Sequence, residues 1–474
     1  MMVADIDIKW LSLLTPQQAY TYRAIPCSRE SDTELRMIVQ ELPHPHASQL
    51  SMLFGDSLEF DLVSPEEMDE LLARHYIWEE LEVPMPKVEP VSQVADSDVA
   101  HIVQQAVSEA VKIGASDIHI ERYATKARVR FRWQGQLIEK YELALEQYNA
   151  IVSRIKILAE LDIAEKRLPQ DGRIPFEVDG VEVDSRVSTM PAKFGEKVVL
   201  RLLVRSDELL ELDRIGMEKI ELQMYRKTIR NPNGIILITG PTGSGKTTTL
   251  YATLKDLNVS SKNILTLEDP IEYNFPGINQ TQVHSEIGFD FATGLKHFLR
   301  QDPDIIMLGE IRDPETAKVA FRAAMTGHMV FSTLHTNSTW ESVSRLCEMG
   351  VEPYQVSAAL RLVISQRLIR LLCRHCREAS HDVRVPGLQD MYGIVQHYTA
   401  VGCPKCHFTG YSGRKAVFEL MPVNAELASR IRDRGVQPEG YLSQFEIPTF
   451  EENLAKLVIQ GETSLEELST MLMG

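Results

Sequence analysis

Residues 240–247 read Gly-Pro-Thr-Gly-Ser-Gly-Lys-Thr, a G-x-x-x-x-G-K-[ST] pattern. It lies between an apolar run, Ile235-Ile-Leu-Ile-Thr239, and a segment of helical character, Thr248-Thr-Leu-Tyr-Ala-Thr-Leu254. No other feature constrains the chain as strongly, because the strand–loop–helix order is the context this pattern needs. Glycines let the backbone wrap so that consecutive N–H groups point inward at phosphate. The start of the following helix adds a dipole that favours anions. Gly240, Pro241, Thr242, Gly243, Ser244, Gly245, Lys246, Thr247 and Thr248 are therefore expected to hold a nucleoside triphosphate. Lys246 would reach the β- and γ-phosphates, and the Thr247 hydroxyl would ligate Mg²⁺. The plain alternative, a Gly-rich turn without a ligand, does not require a strand before it and a helix after it.

From about residue 213 further apolar runs follow: Ile264-Leu-Thr-Leu267, Ile305-Ile-Met-Leu308 and Met329-Val-Phe331. Near-continuous apolar runs separated by helical segments indicate a parallel sheet covered on both faces, an α/β architecture. Ligands of such sheets bind beyond the carboxyl ends of the strands. Each run here ends in polar residues: Glu268-Asp269, Glu310 with Arg312 and Asp313, and Ser332-Thr333 with His335. Glu310 suits a Mg²⁺-holding role, acting through water, and Glu268 a water-orienting or basic one. Either glutamate could be the base. His335 and His328 are expected at the γ-phosphate, where a lone histidine would otherwise be structural. Phosphoryl transfer also needs a cation for the charge that develops on the transferred group, commonly an arginine supplied in trans. Arg186, Arg201 and Arg300 are the candidates, each with a surface ion pair as its ordinary alternative.

Upstream, Asp98–Ile113 carries helical apolar spacing. The segments 118–121, 127–133 and 181–187 alternate like half-buried strands. Together 96–212 reads as an α+β domain, with Arg128, Arg130 and Arg132 on one strand face. Residues 83–90 hold three prolines in Val-Pro-Met-Pro-Lys-Val-Glu-Pro, and 83–95 is expected to be an extended linker. Before it, 1–82 forms a separate block. Within it Glu66–Tyr76 is expected to be a helix, with Ser64 as N-cap and Pro65 at its first position. Residues 1–95 hold 17 acidic and 6 basic side chains and so carry −11 of the −17 net charge. Such acidity opposes a role that grips phosphate backbones; it serves solubility or the docking of a basic partner. No apolar run approaches the roughly 18 residues that would cross a bilayer. The first residues lack a signal-peptide pattern.

Six cysteines are too few for a disulfide scaffold in 474 residues. Four form two C-x-x-C pairs, Cys373/Cys376 and Cys403/Cys406, with 26 residues between them. Two such pairs complete a closed tetrahedral site and favour structural Zn²⁺. A thioredoxin-like redox motif would not need the second pair. The long gap is expected to be an excursion, and His375 and His407 are spare ligands at most. Cys27 and Cys347 read as ordinary thiols. A metal-binding subdomain is placed at 366–420, with helices over 421–474.

These motifs resemble the secretion ATPases that power type II secretion and type IV pilus assembly. The resemblance covers roughly 96–474. It rests on Gly114-Ala-Ser-Asp-Ile-His-Ile-Glu121, Leu161–Arg173, the 240–247 loop, Thr266-Leu-Glu-Asp-Pro-Ile-Glu272, Ile306–Asp313, Thr326–Asn337, and the cysteine pairs followed by Gly410-Tyr-Ser-Gly-Arg414. It implies a RecA-like P-loop ATPase domain over 213–474 preceded by a PAS-like α+β domain. Nucleotide would lie between the two, with Arg186, Arg201 and Arg300 matching basic positions of the family. Position 296 is Lys where the family often has Arg, which loses the planar fork. The resemblance further implies a cytoplasmic homo-hexamer, peripheral at the inner membrane. It would use ATP, Mg²⁺ and Zn²⁺ and act on an inner-membrane platform protein and, indirectly, on pilin or pseudopilin subunits. Residues 62–72 loosely resemble the small α/β adaptor domain that docks such ATPases to the cytoplasmic domain of a membrane adaptor protein. The cysteine loop suits the secretion and pilus-extension branches and weighs against the retraction branch. A nucleic-acid translocating ATPase and a nucleotide-gated assembly scaffold are the more distant alternatives; net charge opposes the first and the intact glutamate and arginine set opposes the second.

Overall fold

The structure, a computed structural model, describes residues 96–204, 210–336, 338–380, 396–434 and 440–472. It also describes 22–31, 34–42, 57–75, 392–394 and shorter pieces between 6 and 50. The expected linker at 83–95 lies outside the described residues. The chain divides into two compact units, one formed by 1–87 with 379–397, the other by 88–378 with 398–474. Of the excursion expected between the cysteine pairs, residues 381–391 and 395 lie outside the described residues.

In the first unit, Ala24–Ser31 pairs antiparallel with Glu34–Val39, which pairs parallel with Ser57–Leu62. The helix expected from Ser64-Pro65 is present as Pro65–His75. Its start is closed reciprocally: Ser64 N–H donates to the Glu67 carboxylate and Glu67 N–H to Ser64 Oγ. Each arm satisfies a backbone donor that the first helical turn leaves unpaired. Met68 and Leu72 of the helix meet Ile25, Leu35 and Met37 in one core.

The second unit has two layers of sheet. Residues 117–204 form a six-stranded antiparallel sheet, ordered Gln136–Leu143, Ala127–Trp133, Asp117–Arg122, Gly195–Val204, Val181–Ala192 and Gln170–Val178. Its alternation sends Ile118, Ile120, Val129, Phe131, Val198 and Leu200 to one face, where helices Asp96–Ile113 and Leu145–Leu158 cover them. The other face carries Asp117, Glu121, Arg128, Arg130, Arg132, Arg186 and Arg201.

The second sheet has seven strands, ordered Asn279–Gln282, Ile264–Glu268, Ile305–Leu308, Met329–Leu334, Gly234–Thr239, Leu360–Leu372 and Tyr411–Pro422. The first six are parallel, as the apolar runs predict; the last is antiparallel. Alternate residues of the central strands feed two cores. Leu237, Leu267, Ile306 and Val330 pack on one face against helix Pro314–Met325, and Ile236, Ile264, Met307 and Phe331 on the other against helix Lys246–Leu257. Strand Asn279–Gln282 reads NQTQ and has no apolar signal, so periodicity could not reveal it. Among the described residues of 421–474 the strand ends at Pro422, and helices Ala425–Arg432, Phe450–Ile459 and Leu465–Leu472 follow.

Phe331 is fully buried in the middle of the seven-stranded sheet. Phe331→Ala is expected to cost about 3–5 kcal/mol, read as a lower urea midpoint of the chain.

Candidate functional site

The loop leaves strand Gly234–Thr239 and enters helix Lys246–Leu257. Gly240, Gly243 and Gly245 have φ of 140°, 80° and 88°, a region that L side chains rarely adopt. A Cβ at Gly240 would also stand 2.2 Å from the Gln366 carbonyl oxygen, so the first glycine is needed for packing as well as for the turn. Gln366, on the neighbouring strand, donates to Ser244 O at 2.9 Å and accepts from Thr249 Oγ1 at 2.8 Å, bracing the loop from below. Lys246 Nζ donates to the carbonyls of Gly240 at 2.8 Å and Pro241 at 3.0 Å. Burial lowers its pKa and the charge of Glu310 opposes that shift. Glu310 is thus within electrostatic reach of the loop lysine, although 64 residues separate them in the chain.

Glu268 and Glu310 end adjacent parallel strands and are both buried. Glu310 meets Arg312 Nη2 at 2.5 Å, and its other oxygen meets His335 Nε2 at 3.2 Å. Glu268 Oε1 accepts from Thr266 Oγ1 at 2.5 Å and Gln280 Nε2 at 3.1 Å, and Oε2 accepts from the Tyr251 hydroxyl. That occupies three of about four acceptor positions of a carboxylate. Tyr251 and Gln280 escaped sequence reasoning, which named Arg312 only as a strand-end polar residue. Tyr251 sits on the helix after the loop, one turn beyond Thr247, where its apolar neighbours make it look like core. Burial and the Glu268 carboxylate both push its hydroxyl pKa up, so it stays protonated and donates.

Two expected site residues lie elsewhere. His328 precedes strand Met329–Leu334, and its carbonyl accepts from Gly234 N–H at the start of the loop strand. Six residues of strand, about 20 Å at roughly 3.3 Å each, separate it from His335 at the other end. The expectation that His328 contacts the γ-phosphate is therefore corrected for the chain's own site. Its ring Nδ1 lies 3.0 Å from Ala323 O. Arg300 is likewise at the edge where strands begin. The adjoining Gln301 and Asp302 accept, each at 2.8 Å, from Asn263, the residue before strand Ile264–Glu268. Arg300 itself holds Lys296 O at 3.1 Å and His297 Nδ1 at 2.6 Å. From that edge it could serve only another chain's nucleotide. Lys296, set aside from the sequence, pairs with Glu315.

Arg186 and Arg201 face each other as partners across strands Val181–Ala192 and Gly195–Val204. Arg186 Nη2 meets Glu272, in the loop after Glu268, at 2.7 Å; Arg201 Nε meets Asp117 at 3.0 Å. The Arg128–Arg132 face is not simply solvated. Glu121 takes Arg130 at 2.8 Å, Lys197 at 2.9 Å and Arg128 at 3.3 Å. Burial works against the charge on Glu121, but these cations hold its carboxyl down at about 2.

The long hairpin Leu360–Leu372/Tyr411–Pro422 carries the cysteines at its tip. The four Sγ atoms lie within 4.8 Å of one another, with Cys373–Cys403 at 3.9 Å and both Cys376–Cys406 and Cys403–Cys406 at 3.7 Å. Four sulfurs about 2.3 Å from a tetrahedral Zn²⁺ stand roughly 3.8 Å apart, so the donor set fits such a cation. Backbone N–H groups of Cys403 and Gly410 donate to Cys406 Sγ at 3.1 and 3.3 Å, as a thiolate would require. His375 and His407 lie outside the cluster. His407 instead packs edge-on against Trp133, with ring centroids 5.0 Å apart.

A glycine loop at a helix start, a loop lysine coupled to a strand-end glutamate, and a second buried glutamate beside it define a P-loop ATPase. Residues 92–470 match the family model described as Type II/IV secretion system protein. The type II secretion system ATPase E of Vibrio cholerae is 42% identical over 465 residues, covering 95% of this chain and 92% of that protein. The type IV pilus assembly ATPase PilB of Myxococcus xanthus is 41% identical over 442 residues, covering 88% and 78%. Among solved structures, the pilus retraction motor PilT with bound ADP aligns at 27% identity and TM-score 0.53, over 78% of this chain and 96% of that one. The Legionella pneumophila ATPase DotB, at 22% identity and TM-score 0.58 over 82% and 98%, shares the fold. The chain belongs to the type II/IV secretion system protein family and is an ATPase of the class that serves type II secretion and type IV pilus assembly.

Tyr251→Phe deletes one of the three donors on Glu268 and the acceptor of Glu272 N–H. It is expected to destabilise the chain by about 1–2 kcal/mol, measured as a shift of the thermal midpoint against wild type.

Proposed function

We propose that this chain is the hexameric motor of a type II secretion system, hydrolysing ATP to drive pseudopilus assembly and protein export. The observation that carries the reading is a glycine loop at a helix start with the buried Glu268 and Glu310 at the same strand-end edge, in a chain 42% identical to a type II secretion system ATPase E over nearly its whole length. Pilus extension is the second reading, favoured by the 41% identity to PilB. The cysteine loop is compatible with both.

In this mechanism the 240–248 backbone cradles the phosphates and Lys246 exchanges its two loop carbonyls for phosphate oxygens. Thr247 and Glu310 would hold Mg²⁺, which when bound neutralises charge on the β- and γ-phosphates. Glu268 uses its remaining acceptor position to orient the attacking water, held in place by Tyr251, Thr266 and Gln280. His335 bonds Glu310 and so reports changes at the γ-phosphate. Arg186 and Arg201 approach from the PAS-like layer, over 96–212, and Arg300 from a neighbouring chain. That layer and the RecA-like layer, over 213–474, move against each other as phosphate is lost. Cys373, Cys376, Cys403 and Cys406 hold Zn²⁺ and keep the 366–420 hairpin tip closed. The acidic 1–82 block docks to the cytoplasmic domain of a membrane adaptor, with 83–95 as its tether and a platform protein as the load. This places the motor in the cytoplasm against the inner membrane. No helix among the described residues is long and apolar enough to cross that membrane.

Lys246→Ala and Glu310→Ala are each expected to lower Mg-ATP turnover of the assembled full-length chain at least about 100-fold, with an unchanged far-UV spectrum. Turnover near wild type in either folded variant refutes the motor. Purified chain is expected to carry about one zinc by elemental analysis, the capacity of a closed four-thiolate site. A Cys373→Ser/Cys403→Ser variant that keeps its full metal content rejects the site.

A further inference from the structure

We propose that Glu272 is a positioning residue of the nucleotide site: it holds Arg186 in an ion pair that the γ-phosphate of ATP must displace, so that it weakens binding of triphosphate and not of diphosphate. The inference rests on Arg186 as a γ-phosphate ligand.

The argument begins with charge in the six-stranded sheet. Register places Arg132 opposite Asp117, Asp117 opposite Arg201, Arg201 opposite Arg186, and Arg186 opposite Arg173. Residues directly opposite project from the same face with Cβ atoms about 4.5–5.5 Å apart, and like charges so placed repel. Three guanidinium groups therefore stand in succession, and the row needs anions. Asp117, buried within the same sheet, serves Arg201 at 3.0 Å and Arg132 at 3.7 Å. Arg186 takes its carboxylate from the other layer instead, through Glu272 at 2.7 Å.

That pair uses one end of the fork. Arg186 Nε is buried and has no hydrogen-bond partner, which leaves a donor able to take a second anion oxygen. Phosphate offers the geometry for both ends at once, and charge-assisted bidentate contacts are the stronger kind. Glu272 is also tied to the reacting edge. Its backbone N–H donates to the Tyr251 hydroxyl at 3.1 Å, and that hydroxyl donates to Glu268. One tyrosine thus fixes both the glutamate that faces water and the loop whose next glutamate holds the arginine. When a γ-phosphate arrives beside Glu268, Arg186 has two competing anions within a short reach. When phosphate leaves, Glu272 recovers it.

The test is calorimetric titration of the full chain with Mg-ATPγS and with Mg-ADP, for wild type, Glu272→Gln, Arg186→Ala and the double variant. Glu272→Gln keeps the side-chain shape and removes the charge. It is expected to tighten Mg-ATPγS about two- to fivefold, the scale of a partly exposed ion pair, and to leave Mg-ADP unchanged. In the Arg186→Ala background the same substitution is expected to have no effect. Glu272→Ala gives a second variant with the same expected direction. Unchanged or weaker ATPγS binding in both variants, or an equal shift for ADP, overturns the proposal. If Arg186→Ala does not weaken ATPγS relative to ADP, the arginine's assignment to the γ-phosphate fails first and the proposal falls with it.

Discussion

Parallel alignment of strands puts all their carboxyl ends on one edge. In this molecule that edge is where two buried carboxylates stand, one of them within electrostatic reach of the loop ammonium. Burial lowers the pKa of Lys246, and the charge of Glu310 opposes that shift. Glu310 would be a buried anion without compensation were Arg312 and His335 not on it. Neither group is cheap to bury alone, since an isolated ion in a protein interior tends to neutralise. Held together, they leave an edge that is charged, dry on its sheet side and open toward the glycine loop. A triphosphate with its cation meets those requirements, whereas a neutral substrate would leave Lys246 on its loop carbonyls and Glu310 on Arg312 and His335.

The antiparallel layer solves the complementary problem. Its outward face concentrates arginines that no strand pattern would tolerate without anions, and the acids that answer them differ in origin. Asp117 and Glu121 lie within the layer and pair with arginines of its own strands. The Arg186–Glu272 pair instead crosses between layers. It is partly exposed, and a partly exposed ion pair contributes on the order of 1 kcal/mol. A contact of that size can be exchanged for phosphate at each turnover; a fully buried pair would be too costly to break.

Legibility in the sequence followed locality. The Pro65–His75 helix was readable because Ser64 and Pro65 signal within four residues. The central strands were readable because a sheet covered on both faces demands continuous apolar runs. The cysteine site was readable because two C-x-x-C turns carry half a tetrahedron each. His328 was misplaced because it adjoins the same strand as His335, and nearness along a strand is not nearness in space. A residue before a strand and a residue after it stand at opposite edges of the sheet. Tyr251, Gln280 and Glu272 were invisible for a different reason. Each acts through side-chain bonds that the fold brings about, and their own neighbours in sequence give no sign of them.

The cysteine hairpin adds a second seam between the layers, of another chemical kind. Trp133, with Ile113 and Ile138, packs from the antiparallel layer against Cys373, Cys376, Cys403 and Cys406. Its indole N–H donates to Ile113 O at 2.7 Å, so the ring is oriented before it meets the knuckle. Apolar contact of this sort is lost to water only at the full cost of the exposed area, about 25 cal/mol per Å², and nothing in a nucleotide cycle replaces it. The ionic seam by contrast has a ready substitute in phosphate. Two layers joined at one place by an exchangeable contact and at another by a contact without substitute can move most cheaply by keeping the second and trading the first. The four cysteines are themselves part of the surface that Trp133 packs on, so the seam and the hairpin tip share the same side chains.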